Sequence, residues 1–332
     1  MPYPKPYRIE MDKSMSVEGP KEPGGSRITV VIPFFNQIEK LSFTAKSLAE
    51  QYLRPETVIF VDDRGNDRMD PQIIEMLEKA GIHAFVLMNE RNLGPGGSRQ
   101  AGMEKAPPDT EFLHFLDSDD SVSPSFFSES VKVHRANPGI IVTYGDTIQQ
   151  KTGKSRMQGF KPPNSLLDGI LCKRMWGTGS LLWKYEAIKD IRWKTWRSIE
   201  DSDFELSAAI RNTRVAFVPE AKLFVDQSLD QDRMKTRNRM GTHIGTYLNR
   251  QLVLTRLLIE YPFGREREKA SLYVDVACYQ LAQVFTGGPM DYLRLIANFL
   301  SRGETYTAAR LVYRTPRYYV HWRRKLKLYR WE

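Results

Sequence analysis

Apolar and polar positions along this chain switch repeatedly between two periods. Ile28-Thr29-Val30-Val31-Ile32 is a short, β-branched run closed by Pro33, the pattern of a buried strand. Leu41, Ala45, Leu48 and Tyr52 then recur at helical spacing. Thr57-Val58-Ile59-Phe60-Val61 predicts a second strand, ending at Asp62-Asp63. Pro71 suits a first helical turn, and Ile73, Ile74 and Leu77 give that helix an apolar stripe. A third strand is predicted from His83 to Met88, a helix from Gly96 to Met103, and a fourth strand from Glu111 to Leu116. A helix over Pro124 to Asn137 leads to a strand over Ile140 to Tyr144. This alternation predicts an α/β domain with a parallel sheet covered by helices on both faces. Ligands of such sheets bind beyond the carboxyl ends of the strands. The polar clusters Asn36, Asp62-Asp63, Asn92 and Asp117 to Asp120 all fall there.

The regularity ends near Gln150. Lys151 to Asn164 reads as a loop, Gly179 to Trp183 as a strand, Asp201 to Arg211 as a helix, and Val215 to Val225 as one or two strands. Gly241 to Glu260, Glu266 to Phe285 and Asp291 to Leu300 read as helices. The expected organisation is a solvated leader over residues 1–26, an α/β domain over 27–228 and a helical appendage over 229–332.

Charge changes this picture only at one end. Eight basic residues against Glu332 alone fill Arg310 to Glu332, so that segment holds seven of the chain's nine net positive charges. Tyr313, Tyr318, Tyr319, Trp322, Tyr329 and Trp331 are interleaved with them, a mixture suited to an anionic membrane surface. A plain solvated or packed helix is an equal reading of that end. Nucleic-acid binding, the remaining reading of a basic tail, is not expected from the chemistry that the rest of the chain suggests. No stretch approaches the roughly 18 apolar residues of a membrane-spanning helix. Cys172 and Cys278 stand alone, which fits a reducing, cytoplasmic setting, and five unpaired histidines argue against zinc.

Four segments carry candidate chemistry. Asp117-Ser118-Asp119-Asp120 follows an apolar strand. Clustered carboxylates there suit a hard cation such as magnesium or manganese, or equally an acidic turn in which Asp120 or Ser123 caps the next helix. Asp62-Asp63 is either a turn or an acceptor for nucleobase or ribose hydrogen bonds. Asn92-Leu93-Gly94-Pro95-Gly96-Gly97-Ser98-Arg99 is either a tight turn or a set of backbone amides for phosphate, with Arg99 one turn further on. Glu200-Asp201 is either acid favoured by a helix start or a general base with its neighbour.

In combination, Ile32-Pro33-Phe34-Phe35-Asn36, Val61-Asp62-Asp63, Asn92-x-Gly94 with Arg99, Leu116-Asp117-Ser118-Asp119-Asp120 and Glu200-Asp201 resemble the inverting glycosyltransferase family 2, with the GT-A fold. The resemblance spans about Arg27 to Ser228. It implies a Rossmann-like, mostly parallel sheet and transfer of a sugar from a nucleoside-diphosphate donor, with inversion. It also implies that Pro33, Phe34, Asn36, Asp63, Asn92, Arg99, Asp117 and Ser118 bind the donor. Manganese or magnesium is expected at Asp117, Asp119 and Asp120, with Asp119 the direct ligand. Asp201 matches the catalytic base and Glu200 a neighbour that orients acceptor or base, while Trp176 to Ser180 matches part of an acceptor pocket. The expected acceptor is a glycan or a lipid-linked glycan, reached by peripheral membrane attachment through the basic end. The sequence departs from the family pattern at Phe34-Phe35 and at Arg64. A sugar nucleotidyltransferase is disfavoured because no glycine-rich loop follows the first strand. A non-catalytic binding module is disfavoured because both acidic clusters are present.

Overall fold

The computed structural model describes residues 26–226, apart from Gln37, Phe160, Lys173, Met175, Arg197 and Ser198. The expected leader up to residue 25, the helical appendage and the basic aromatic end lie outside the described residues. The chain divides into two compact units, residues 1–157, 163–166 and 175–229 in one and 158–162, 167–174 and 230–332 in the other. The sheet lies in the first.

Eight strands form that sheet: β1 (Ile28–Phe34), β2 (Thr57–Asp62), β3 (His83–Met88), β4 (Phe112–Phe115), β5 (Asp120–Val122), β6 (Val142–Gln149), β7 (Leu181–Lys184) and β8 (Val215–Val225). Among them run α1 (Ile38–Ala49), α2 (Pro71–Lys79), α3 (Gly94–Met103), α4 (Phe126–Ala136), α5 (Leu166–Cys172), α6 (Tyr185–Ile188) and α7 (Glu200–Arg211). Helix α5, which falls mainly in the second unit, had no counterpart in the sequence pattern. The strand order is β3-β2-β1-β4-β7-β6-β8-β5. β3, β2, β1 and β4 are parallel, as expected.

The other half departs from a purely parallel sheet. β7 lies antiparallel between β4 and β6, and β5 lies antiparallel to β8. β6 and β7 are consecutive strands and pair with each other directly, which antiparallel neighbours can do without a crossover. β8 is a single bent strand: Gly145 of β6 pairs with Val218, yet Asp146 pairs with Lys222. Pro219, Glu220 and Ala221 are the surplus, and a β-carbon at Gly145 would collide with the Ala221 carbonyl. Glycine permits the bulge, and proline is tolerated within it.

Strand parity builds the core. Ile28, Val30, Ile32 and Phe34 share one face with Val58 and Phe60, and pack in one cluster with Leu41, Ala45 and Leu48 of α1, Ile73 and Leu77 of α2, and Phe126 and Phe127 of α4. On the other face, Gly102 lets α3 approach Val31 and Val61, and Phe115 meets Trp193 and Phe204 edge-on. Tyr52, read as part of the α1 stripe, lies beyond the helix and is 79% exposed.

Two histidines fasten the antiparallel strand. His114 Nδ1 lies 2.9 Å from the Leu181 carbonyl and His134 Nε2 3.1 Å from that of Leu182. Both are buried, and burial lowers each to about 4. A histidine pKa depressed in the fold contributes stability that is present above about 6.5 and lost as pH falls through about 4. His114→Asn retains a donor for Leu181 without the titrating ring. Denaturant titrations between pH 6.5 and 4 should show its stability falling less steeply than wild type, by about 1.4 kcal/mol per pH unit.

Candidate active site

The polar clusters do gather at the carboxyl edge of the parallel strands, where they first bond to one another. Asn36, with φ 52°, accepts the Asn66 and Asp67 amides on its Oδ1 at 2.5 and 3.4 Å, tying the loop after β1 to the loop after β2. Asp62 accepts the Gly65 amide at 2.9 Å. Asp63 is 4% exposed. Its Oδ1 accepts from Leu93 N at 2.7 Å and Asn89 Nδ2 at 2.9 Å, and its Oδ2 from Gly94 N at 2.8 Å. Asn92 Nδ2 donates to the Asp63 carbonyl at 3.2 Å.

Asp63 therefore caps α3, and the glycine-rich turn spends its leading amides on Asp63 rather than leaving them for a phosphate. Its other glycines serve close packing. A β-carbon at Gly96 would collide with the Lys194 carbonyl and the Glu200 side chain, and one at Gly97 would meet Leu93. The turn is pressed against the segment that leads into α7.

Arg99 sits where these parts meet. It is 4% exposed, with Nη2 2.6 Å from Asp117 Oδ1 and Nη1 3.2 Å from Glu200 Oε1. Its Cζ lies 5.0 Å from the Trp193 ring centroid, and Trp193 stacks on Phe204 at 4.2 Å. Burial disfavours its charge, but Asp117 and Glu200 together hold the guanidinium above its ordinary range. Burial pushes the Glu200 carboxyl up to about 7 and Asp201 pushes the same way, against the pull of Arg99. Asp201 is half-buried; its Oδ1 accepts the Ser202 amide at 2.7 Å, and Thr178 Oγ1 lies 3.5 Å from its Oδ2. Ile199, just before α7, has φ 66°. A β-branched residue in that region is strained, and the bend it makes delivers Glu200 and Asp201 to this edge.

The acidic turn after β4 is hung on α1 through Thr44 Oγ1, which donates to the carbonyls of Ser118 at 3.0 Å and Asp120 at 2.7 Å. Asp117 has 41% of its side chain exposed and Asp119 is half-buried. Asp120 is instead buried in β5, where the Asp226 amide bonds its carboxylate. Burial first, then Asp117 and Asp119, raises it well above the usual carboxylate range. Among the described residues no three His, Cys, Asp or Glu side chains are grouped to hold a metal ion. Asp117, Asp119 and Asp120 thus do not form the expected three-ligand set, because β5 draws Asp120 inward. Two adjacent aspartates with oxygen donors still fit magnesium or manganese, which keep waters and take one or two carboxylates plus substrate phosphates.

Two further expectations change. Phe34 faces the core cluster, since it shares strand parity with Ile32; Phe35, 42% exposed, stands at the edge. Trp176 is fully buried, its ring tilted against Tyr144 at 5.0 Å and its Nε1 donating to Glu205 at 2.9 Å, so it packs within the domain instead of lining a pocket. Pro33 is buried at the end of β1 and Ser118 is 6% exposed. Asn89 and Trp193 were missed from the sequence. Asn89 lay one residue past a strand ending, among other polar residues that gave no signal.

Comparison with known proteins meets this geometry at its centre. Residues 29–187 match the family described as Glycosyl transferase family 2. This chain carries a family 2 glycosyltransferase domain. Glu200 and Asp201 lie beyond the matched residues. The chain is 25% identical over 249 residues to the minor teichoic acid biosynthesis protein GgaA of Bacillus subtilis, covering 69% of this chain and 54% of that protein. It is 32% identical over 98 residues to a cholesterol galactosyltransferase of Borreliella burgdorferi, covering 29% and 26%. The chain thus spans about half or less of the curated relatives it matches. The S. aureus TarS 1–349 structure is similar with a TM-score of 0.62 at 18% identity, over 86% of this chain and 81% of that one. The mannosyltransferase PcManGT of Pyrobaculum calidifontis, solved with GDP-Man and Mn2+, has a TM-score of 0.51 at 15% identity, over 90% and 89%. The family 2 domain has the GT-A fold. Among the described residues no helix is long and apolar enough to cross a membrane.

Asp63→Asn should leave at least one α3 amide without its acceptor. Urea denaturation is expected to show a loss of about 1–3 kcal/mol; a change under 0.5 kcal/mol would remove Asp63 as the cap.

Proposed function

We propose that this chain transfers a sugar from a nucleoside-diphosphate sugar to an acceptor hydroxyl, with inversion at the anomeric carbon. One observation carries the reading: Arg99 bonds both Asp117, beside the acidic strand end, and Glu200, beside the half-buried Asp201. Two carboxylates, Asp117 on the donor side and Glu200 on the acceptor side, 83 positions apart in number, therefore share one buried cation.

In this reading Asn36 and Asn92 border the nucleoside, while Asp63 acts on it through the turn it caps. Asp117 and Asp119 hold manganese or magnesium, which supplies positive charge for the departing diphosphate. Asp120 backs them from β5. The Asp201 carboxylate takes the proton of the acceptor hydroxyl as that oxygen bonds to the anomeric carbon. The bond from that carbon to the diphosphate oxygen breaks on the opposite side, and its electron pair leaves with the diphosphate. Thr178 steadies Asp201 from the flank, and Glu200 sets its orientation. TarS has been solved with UDP and with UDP-GlcNAc, which makes uridine diphosphate sugars the first donors to offer. GgaA is named for teichoic acid biosynthesis, and another relative for a β-1,3-glucosyltransferase acting on an undecaprenol diphosphate glycan. These names support a glycan or lipid-linked glycan acceptor for this chain, and the basic, aromatic residues 310–332 are the segment we propose for contact with the cytoplasmic membrane face.

The test is release of nucleoside diphosphate from a panel of donors with manganese, repeated after chelation. Wild type should release it with metal and lose that activity without it. Asp201→Asn should slow transfer by about 10²–10⁴-fold while calorimetry shows UDP binding retained; full activity in this variant would remove the base. Asp119→Ala should instead weaken UDP binding only when manganese is present.

A further inference from the structure

Arg99 was expected to touch the donor diphosphate, but nothing about its setting exposes it. Both terminal nitrogens are committed, to Asp117 and to Glu200. Nε is buried with no partner among the described residues, and one ring face of Trp193 covers the guanidinium. Trp193 in turn lies flat on Phe204, with an interplanar angle of 12°. Glu200 and Phe204 are four residues apart on α7 and so occupy one face of that helix. Arg99 thus grips α7 twice, directly at Glu200 and through Trp193 at Phe204, while its other nitrogen holds the turn after β4.

We propose that Arg99 is a positioning residue that sets the spacing between the donor-side Asp117 and the acceptor-side start of α7, and does not itself bind the diphosphate. This rests on the transfer reading above. The planar fork of arginine can bond two carboxylates in fixed directions, whereas a lysine ammonium is a point charge on a flexible stem. Arg99→Lys therefore preserves the charge and loses the spacing. A misplacement of about 1 Å can cost about 100-fold in rate.

The experiment compares full-length wild type, Arg99→Lys, Glu200→Ala and the double variant, using UDP with manganese as the binding probe. Arg99→Lys should bind UDP within about threefold of wild type, keep its donor KM and lose about 100-fold in kcat. The double variant should be no slower than the slower single variant, because both substitutions break one bridge. A tenfold or greater loss of UDP affinity with kcat preserved overturns the proposal in favour of direct diphosphate contact. Multiplying kcat losses in the double variant overturn it too. Should Arg99→Lys fail to fold, Glu200→Ala alone must show retained UDP binding with reduced kcat, or the proposal falls. A wild type that turns over no donor rejects the transfer reading instead. The bridge is then judged by unfolding, where additive losses in the two single variants and the double would reject it.

Discussion

One buried guanidinium organises this molecule's polar edge. Pairing charges inside a protein is a poor way to gain stability, because the desolvation of three ions offsets most of their attraction. Removing one partner from such a group is costly, however, since the others are left uncompensated. The arrangement around Arg99 therefore acts as a constraint: Asp117 and Glu200 cannot move apart without stranding charge in a place that Trp193 keeps dry. The glycines of the α3 turn follow from the same requirement, since any side chain at Gly96 would push away the segment that brings Glu200 in.

The sheet supplies the rigid base for that constraint. Its parallel half aligns the ends of β1, β2 and β4, so that Asn36, Asp63 and Asp117 emerge on a common edge. The antiparallel β7 fills the space between β4 and β6, and consecutive carbonyls of that strand receive His114 and His134. These histidines act as neutral core donors. Their burial explains the lowered basicity. Phe115, Trp193 and Phe204 then carry packing from β4 to α7, joining the core to the carboxylates above it.

Several polar residues at the edge bind other parts of the edge itself. Asp63 holds a helix start, Asn36 clamps a neighbouring loop, and Thr44 suspends the acidic turn from α1. Asp117, Asp119 and Asp201 remain partly exposed beside these cross-links, and they are the carboxylates on which the proposed reaction relies. For the proposed transfer such preorganisation matters, because charges fixed in advance would need no rearrangement as a diphosphate leaves.

The sequence by itself determined the alternation of strands and helices in the first half, the location of the acidic clusters at strand ends, and the family. Those features depend on local periodicity and on short motifs, which survive without knowledge of the fold. Strand parity was also present in the sequence and, applied strictly, would have put Phe34 in the core and Phe35 at the edge. Only the tertiary structure decided that β7 runs antiparallel, that β5 draws Asp120 inward, that Asp63 caps α3, and that Arg99 joins Asp117 to Glu200. Each of these is a pairing between segments 18 to 101 residues apart or a direction imposed by the path of the chain. Polar side chains have no periodic signature, so which one meets which is settled only when the packed sheet brings them within hydrogen-bonding distance.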